Sequence, residues 1–328
     1  MRFGTFIPQG WRFDLVGIDP SEHWAVMKRL AQRADAGPWE SLWVYDHFHT
    51  TPVPSDEATH EAWTLMAAFA ASTSRIRLGQ MCTCMGYRNP AYLAKVAATV
   101  DIVSGGRTEM GIGGGWYEHE WEAYGYGFPP VPERLRMLRE GVDIMQQAWT
   151  TGRATLDGKH YQVDGAIVQP LPLQDGGIPL WVAGGGEKVT LKIAAKYASY
   201  TNYAGSLDDI DRKSAVLRDH CDALGRDFSE ITRTSNFNTI VGATEAEARD
   251  RLAAVKARLL PHVGQERADH IEHDYLTSPA FGTPEQVAER LAERERHGIA
   301  YAIHYFPEAA YDLSGVELFE REVVAALN

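Results

Sequence analysis

The chain has 328 residues, 32 Lys+Arg against 44 Asp+Glu for a formal net charge of −12, and is 45% hydrophobic and 23% charged, the balance of a globular protein able to bury a large core. Nine Trp, fourteen Tyr and eleven Phe exclude intrinsic disorder, and the acidic balance argues against a broad nucleic-acid surface, which needs a basic face to displace counterions. No membrane span is expected, because the longest strictly apolar run covers only residues 65–71 where about twenty residues are needed.

At the N-terminus, Met1-Arg2-Phe3-Gly4-Thr5-Phe6-Ile7-Pro8 reads as a strand ending at proline rather than as a signal peptide. From there, short apolar runs alternate with amphipathic stretches. Strands are predicted at 2–8, 41–46, 76–83, 107–113, 179–183, 200–203, 231–241 and 299–306. Helices are predicted between them at 21–36, 61–72, 90–103, 132–149, 187–196, 207–224, 245–259 and 284–297, with a last one at 315–327. Asp19-Pro20-Ser21-Glu22 opens the first helix with capping and acidic residues, and Gly37 stops it. Thr283-Pro284-Glu285-Gln286 places a cap, a proline at the first helical position and a capping-box partner in order. Strict alternation implies parallel strands joined by right-handed crossovers, and eight such units fit a closed α/β (β/α)8 TIM barrel better than a six-stranded doubly wound sheet.

Two segments exceed the repeat. Asp157-Gly158, flanked by strand formers, predicts a hairpin insertion at about 151–172. The polar, His-containing stretch at about 260–282 reads as a rim loop with short helical pieces at the C-terminal face. With no linker or low-complexity tract, residues 1–328 read as one domain. Three cysteines, Cys82, Cys84 and Cys221, are too few for a disulfide framework, and a cytoplasmic chain with reduced thiols is expected.

Four segments are candidates for chemistry. Val44-Tyr45-Asp46-His47-Phe48 ends the second strand; His47 either moves a proton or donates to an anionic ring, or is a buried histidine satisfied by backbone. A metal site is not expected, since His47-Phe48-His49 lacks a third ligand at a recognisable spacing. Gly111-Ile112-Gly113-Gly114-Gly115-Trp116 follows the fourth strand; its glycines either let backbone approach a flat or anionic ligand or make a tight turn. The likeness to GxGxxG is superficial, with Trp at 116 and no spaced ribose-binding acid. Ala183-Gly184-Gly185-Gly186-Glu187-Lys188 joins strand to helix, where backbone N–H groups and the helix dipole suit a phosphate. Gly79-Gln80-Met81-Cys82-Thr83-Cys84-Met85-Gly86 leaves the third strand with small, soft residues that suit a planar ring or simple core packing.

In order and spacing these motifs resemble the bacterial luciferase-like superfamily (LLM class) of flavin- or deazaflavin-dependent barrel enzymes, on its coenzyme F420-dependent oxidoreductase branch. The resemblance also runs through Phe3–Pro8, Leu42–Phe48, Arg75-Ile76-Arg77-Leu78-Gly79, Arg107–Trp116, Glu133-Arg134-Leu135, Leu138-Arg139-Glu140, Gln169-Pro170, Trp181–Gly186 and Phe281–Val287. It implies a ring at the C-terminal face, His47 as the catalytic residue, and cofactor contacts from Asp46, His47, Met81, Cys82, Cys84, Gly113, Gly114, Trp116, His119, Gly184, Gly185 and Gly186. A non-prolyl cis peptide at Met81-Cys82 is a frequent feature of the family.

One departure is informative. Sugar-phosphate dehydrogenases of this family carry a Glu where Trp116 stands and a Lys beyond the sixth strand, where Tyr203-Ala204-Gly205-Ser206 has none. Glucose-6-phosphate oxidation is therefore not expected. A pocket edged by Trp116, Tyr117 and Trp11 suits a neutral, partly apolar or aromatic substrate. The resemblance implies hydride transfer between the deazaflavin and such an organic small molecule, reducing C=C, C=N or C=O. One alternative is an FMN-dependent monooxygenase using reduced flavin and O₂. Another is a non-catalytic flavin- or F420-binding protein. It also implies a homodimer, and a flavin or F420 reductase as cofactor supplier. Since that cofactor is anionic, its binding must rest on backbone N–H groups and a local basic patch against the field of the chain.

Overall fold

The computed structural model describes residues 1–327. In chain order it contains β1 (Arg2–Phe6), α1 (Pro20–Ala36), β2 (Ser41–Val44), α2 (Ala62–Ser72), β3 (Arg77–Gln80), β4 (Thr83–Cys84), α3 (Pro90–Ser104) and β5 (Thr108–Gly113). Next come α4 (Glu118–Ala123), α5 (Val131–Thr151), β6 (Arg153–Asp157), β7 (Gln162–Ile167), β8 (Leu180–Ala183), α6 (Thr190–Tyr197), β9 (Tyr200–Asn202) and α7 (Leu207–Leu224). The remainder is β10 (Thr232–Asn238), β11 (Ile240–Val241), α8 (Glu245–Val263), α9 (Gln265–Leu276), β12 (Phe281–Gly282), α10 (Pro284–Arg296), β13 (Ile299–Tyr305), α11 (Ser314–Leu318) and α12 (Ala325–Leu327). Strands β1, β2, β3, β5, β8, β9, β10 and β13 form one sheet whose order closes through β3–β5. Every strand pair with a stated register in that sheet is parallel. This is a (β/α)8 barrel, with one strand for each of the eight runs legible in the sequence.

The chain divides into two compact units, one made of Met1–His60 with the chain from Arg233 onward and the other of Glu61–Thr232. In the first, β1 lies between β2 and β13, with Thr5 opposite both Leu42 and His304. Glycine is required at position 4, because a Cβ there would stand 2.6 Å from Ser41 Oγ and 2.7 Å from Trp43 Nε1. Those two side chains are joined by an N–H···O bond of 2.5 Å, and Ser41 Oγ also meets the Tyr301 hydroxyl at 2.5 Å. Outside the strands, α1 is capped by Asp19 and buries Val26, Met27, Leu30, Ala31 and Ala34, the apolar stripe that a helical period dictates. The segment predicted as one last helix is α11, a π-helical stretch Phe319–Val324 and α12. The widened turn seats Phe319 flat against Trp39 (5.7 Å, 7°) while the next residue, Glu320, accepts from Trp39 Nε1 at 2.6 Å and from Arg33.

In the second unit, Arg107 ties the loop before β3 to the start of β5. Its guanidinium donates to the carbonyls of Ser104 (2.6 Å), Ile76 (2.7 Å), Ala70 and Thr73 (both 3.0 Å). Glu109 accepts from Trp181 Nε1 at 2.7 Å and from Arg77. Strands β6 and β7 form an antiparallel hairpin whose turn donates backbone N–H groups from Lys159, His160 and Tyr161 to the Glu140 carboxylate (3.2, 2.8 and 3.1 Å).

Two expectations are corrected. The stretch at 260–282, read as a polar rim loop with short helical pieces, is mostly helix: α8 continues through Pro261 to Val263, and α9 follows one residue later. Ala268, Ile271 and Tyr275, on one face of α9, pack with Phe13, Ile240, Leu252, Val255, Leu259 and Phe281 in a satellite core of the first unit. The helix after the triple glycine begins at Thr190 rather than Glu187, so three more residues separate the glycines from its dipole.

Strand β5 approaches β3 so closely that a Cβ on Gly111 would lie 1.9 Å from the Gln80 carbonyl oxygen, whereas one on Gly114 would come no nearer than 3.5 Å to any atom beyond its chain neighbours, at Leu135 Cδ2. Gly111→Ala is therefore expected to lower unfolding free energy by about 1–3 kcal/mol, and Gly114→Ala by a small fraction of that. Paired urea melts check the difference.

Candidate active site

In each unit, chemistry-bearing side chains follow the ends of the barrel strands. Beyond β2 the chain continues as Tyr45-Asp46-His47, and a buried amide holds it there. Gln9, 0% exposed, accepts the Tyr45 N–H at 2.5 Å and donates to the carbonyls of Tyr45 (2.8 Å) and His60 (2.9 Å). Asp46 is 1% exposed. His47 is half-buried, its imidazole lying flat on the Trp11 indole at 4.2 Å and 1°. Tyr45 is stacked on Phe6 (4.2 Å, 6°) and touches Trp11 (4.2 Å); burial pushes its hydroxyl up to about 12. The Arg12 guanidinium covers the Trp11 ring at 5.2 Å and Tyr305 at 4.6 Å and donates to Asn238 Oδ1 at 2.7 Å.

In the second unit, β3 runs into a cis peptide at Met81-Cys82. Met81 and Cys82 press on β5: a Cβ on Gly111 would lie 3.5 Å from Met81 Cε, and one on Gly113 2.7 Å from Cys82 Sγ. Cys84, in β4, pairs with Gly113 and is buried, its sulfur beneath Gly115. Gly114 is half-exposed. Trp116 is 59% exposed and stacks on buried Tyr117 (5.2 Å, 16°), whose ring lies 6.1 Å from exposed His119.

Beyond β8, the Gly184 N–H is engaged by the Asn202 carbonyl at 2.9 Å. A Cβ on Gly185 would stand 2.8 Å from Lys213 Cε and 3.0 Å from its Nζ, and the ammonium donates to the Ala204 carbonyl at 2.7 Å. The triple-glycine loop is thus a bare backbone surface with an ammonium laid across it. Lys213 escaped the sequence reading, as did Arg12 and Asn238. No local spacing joins Gly185 to Lys213 or Arg12 to Asn238; only the closure of the fold does. Among the described residues, no group of three or more His, Cys, Asp or Glu is placed to hold a metal ion, and no helix is long and apolar enough to cross a membrane.

A (β/α)8 barrel with an imidazole, thiols and glycine turns at the C-terminal ends of its strands defines an enzyme-type scaffold, since that face carries the active site in such barrels. A family model for luciferase-like monooxygenases matches residues 1–301, and the chain belongs to that family. It is 33% identical over 222 residues, 67% of this chain and 65% of the relative, to an F420-dependent glucose-6-phosphate dehydrogenase of Kineococcus radiotolerans. It is 29% identical over 264 residues, 78% and 72% of the two chains, to the pyrimidine monooxygenase RutA of a Bradyrhizobium species. The coenzyme F420-dependent tetrahydromethanopterin reductase of Methanopyrus kandleri superposes with a TM-score of 0.78 at 19% identity, over 100% of this chain and 99% of that one. The chain spans 65%, 61% and 61% of the length of three of the dehydrogenase relatives.

Removing the Gln9 amide takes the partner from the buried Tyr45 N–H and C=O and from the part-buried His60 carbonyl, which costs about 1–3 kcal/mol per buried group left unsatisfied. Gln9→Leu is expected to lower the melting temperature by several degrees and to change the near-ultraviolet signal of the Trp11–Tyr45 cluster. Calorimetry and near-ultraviolet circular dichroism check both.

Proposed function

We propose that the chain is a coenzyme F420-dependent oxidoreductase acting on a partly apolar organic small molecule at a C=C, C=N or C=O bond. The observation that carries the reading is the Lys213 ammonium lying over the bare backbone of Gly185. Together with the Gly186 N–H it forms a cradle fit for the phosphate of an anionic cofactor, where a Cβ would block approach and the net charge of −12 offers no general attraction. The F420-dependent names among the relatives support the same cofactor.

Coenzyme F420, when bound, supplies a ring carbon that accepts or delivers a hydride. The chain's own part is to bind, orient and protonate. His47, kept in plane by Trp11, holds a proton at an imidazole nitrogen, either donating it to the anionic ring or relaying it to substrate. Asp46, Met81, Cys82, Cys84, Gly113, Gly114, Trp116 and His119 are proposed ring-side contacts, with Gly184–Gly186 and Lys213 on the phosphate. Gly184 would contribute shape rather than its N–H, which Asn202 occupies. Trp116 offers no group able to exchange a proton with a sugar hydroxyl, so a sugar phosphate is not the proposed substrate. The enzyme is proposed to act in the cytoplasm as a homodimer, one catalytic domain per chain, with an F420 or flavin reductase supplying reduced cofactor.

Titration of the purified protein with F420 and with FMN, followed by fluorescence, tests the assignment. Micromolar or tighter F420 binding is expected, weakened about 10- to 100-fold by Lys213→Met, the loss of one charge-assisted contact. His47→Ala is expected to keep cofactor binding and lose turnover. Micromolar FMN affinity with none for F420 overturns the proposal in favour of a flavin-dependent monooxygenase.

A further inference from the structure

A cleft of about 180 Å³ opens beside α8 and α9 and the C-terminal ends of β10 and β13, all within the first unit. Arg12 and Arg258 both line it, and among the described residues neither has a carboxylate oxygen within 4.0 Å. Arg12 bonds only Asn238 and otherwise rests on the rings of Trp11, Tyr45 and Tyr305. Arg258 donates Nη2 to the Pro307 carbonyl at 2.6 Å and lies 4.1 Å over the Tyr311 ring, while its buried Nε has no partner. Two guanidinium groups in a partly closed space without a direct ion-pair partner are costly to keep unless an anion completes them.

The surrounding carboxyls make no direct ion pair with either arginine. Asp14 accepts from the Gly10 N–H at 2.7 Å and the Tyr305 hydroxyl at 2.9 Å, and burial pushes its carboxyl above the usual range. Burial pushes the neighbouring Glu308 up to about 7 and holds the Tyr275 and Tyr305 hydroxyls protonated. Asp274, at the mouth, is about half exposed and faces His270 at 3.7 Å. Val255, Leu259 and Ile271 give the same cleft an apolar part of its lining.

We propose that this cleft binds the carboxylate of a partly apolar organic acid, which is the substrate. Arg12 and Arg258 take the carboxylate, and Val255, Leu259 and Ile271 take the apolar body. The assignment of that acid as substrate rests on the oxidoreductase reading above. Trp11 ties the two sites together: Arg12 covers its ring at 5.2 Å and His47 stacks on it at 4.2 Å, so an acid held at Arg12 lies one indole away from the proposed proton-moving group.

Calorimetric titration of the full chain with benzoate and cinnamate, and with their uncharged amides, tests the site independently of turnover. The acids are expected to bind at least tenfold more tightly than the amides. Arg12→Gln is expected to abolish that preference, and Ile271→Glu to repel the acids without touching either arginine, while F420 and FMN affinities stay within twofold of the parent. Amides equal to acids, or full acid binding in Ile271→Glu and in a folded Arg12→Gln, overturn the proposal; where Arg12→Gln does not fold, Ile271→Glu decides alone. Loss of F420 but not FMN affinity in Arg12→Gln transfers the carboxylate to the cofactor's acidic tail and removes the substrate assignment. Acid binding in a protein that takes neither F420 nor FMN keeps the site and defeats the oxidoreductase reading instead.

Discussion

The Gln9 side-chain amide is the constraint on which the first unit's chemistry depends. It is fully buried and closes on both backbone groups of Tyr45 as well as on the His60 carbonyl. A strand end carries backbone groups with no ladder partner, and burying them bare is costly. By completing those groups, Gln9 lets the chain leave β2 in one conformation and carry Asp46 and His47 with it. The loop that supplies Gln9 also supplies Trp11, Arg12 and Asp14, so one short segment sets the imidazole, the aromatic floor beneath it and the cation beside it.

Much of this architecture was legible in the order of residues. The eight barrel strands announce themselves because each is a short apolar run between helical periods, and the Thr283 capping box appears as written. Helix α9 did not, because only Ala268, Ile271 and Tyr275 mark its buried face amid His, Glu and Asp. Its stability comes from a satellite core whose other members lie on β11, β12, α8 and the Phe13 loop, and no local window contains them. The start of α6 was misread for a related reason: Glu187-Lys188 looks helical by propensity, yet the chain completes a turn before helical bonding begins. The motif residues themselves were visible, whereas Lys213 and Arg12 gain meaning only from what folding brings to them.

The charge of the chain acquires structure in the process. A net −12 creates a field that opposes anions at long range, screened within about 8 Å at physiological salt. Within that distance the local arrangement prevails. An ammonium over glycine backbone and two guanidinium groups with no carboxylate oxygen within 4.0 Å, among the described residues, concentrate positive charge locally in an acidic protein.

The satellite core beneath α8 and α9 has a consequence for how such a protein diverges. Its side chains pack on one another and on β11 and β12, which pair outside the barrel sheet. Exchanges on the cleft-facing side of α9 therefore disturb a small peripheral core and leave the packing between barrel strands alone. Substitutions at Ile271 or His270 thus reshape the cleft's lining without altering the residues that hold the strand ends.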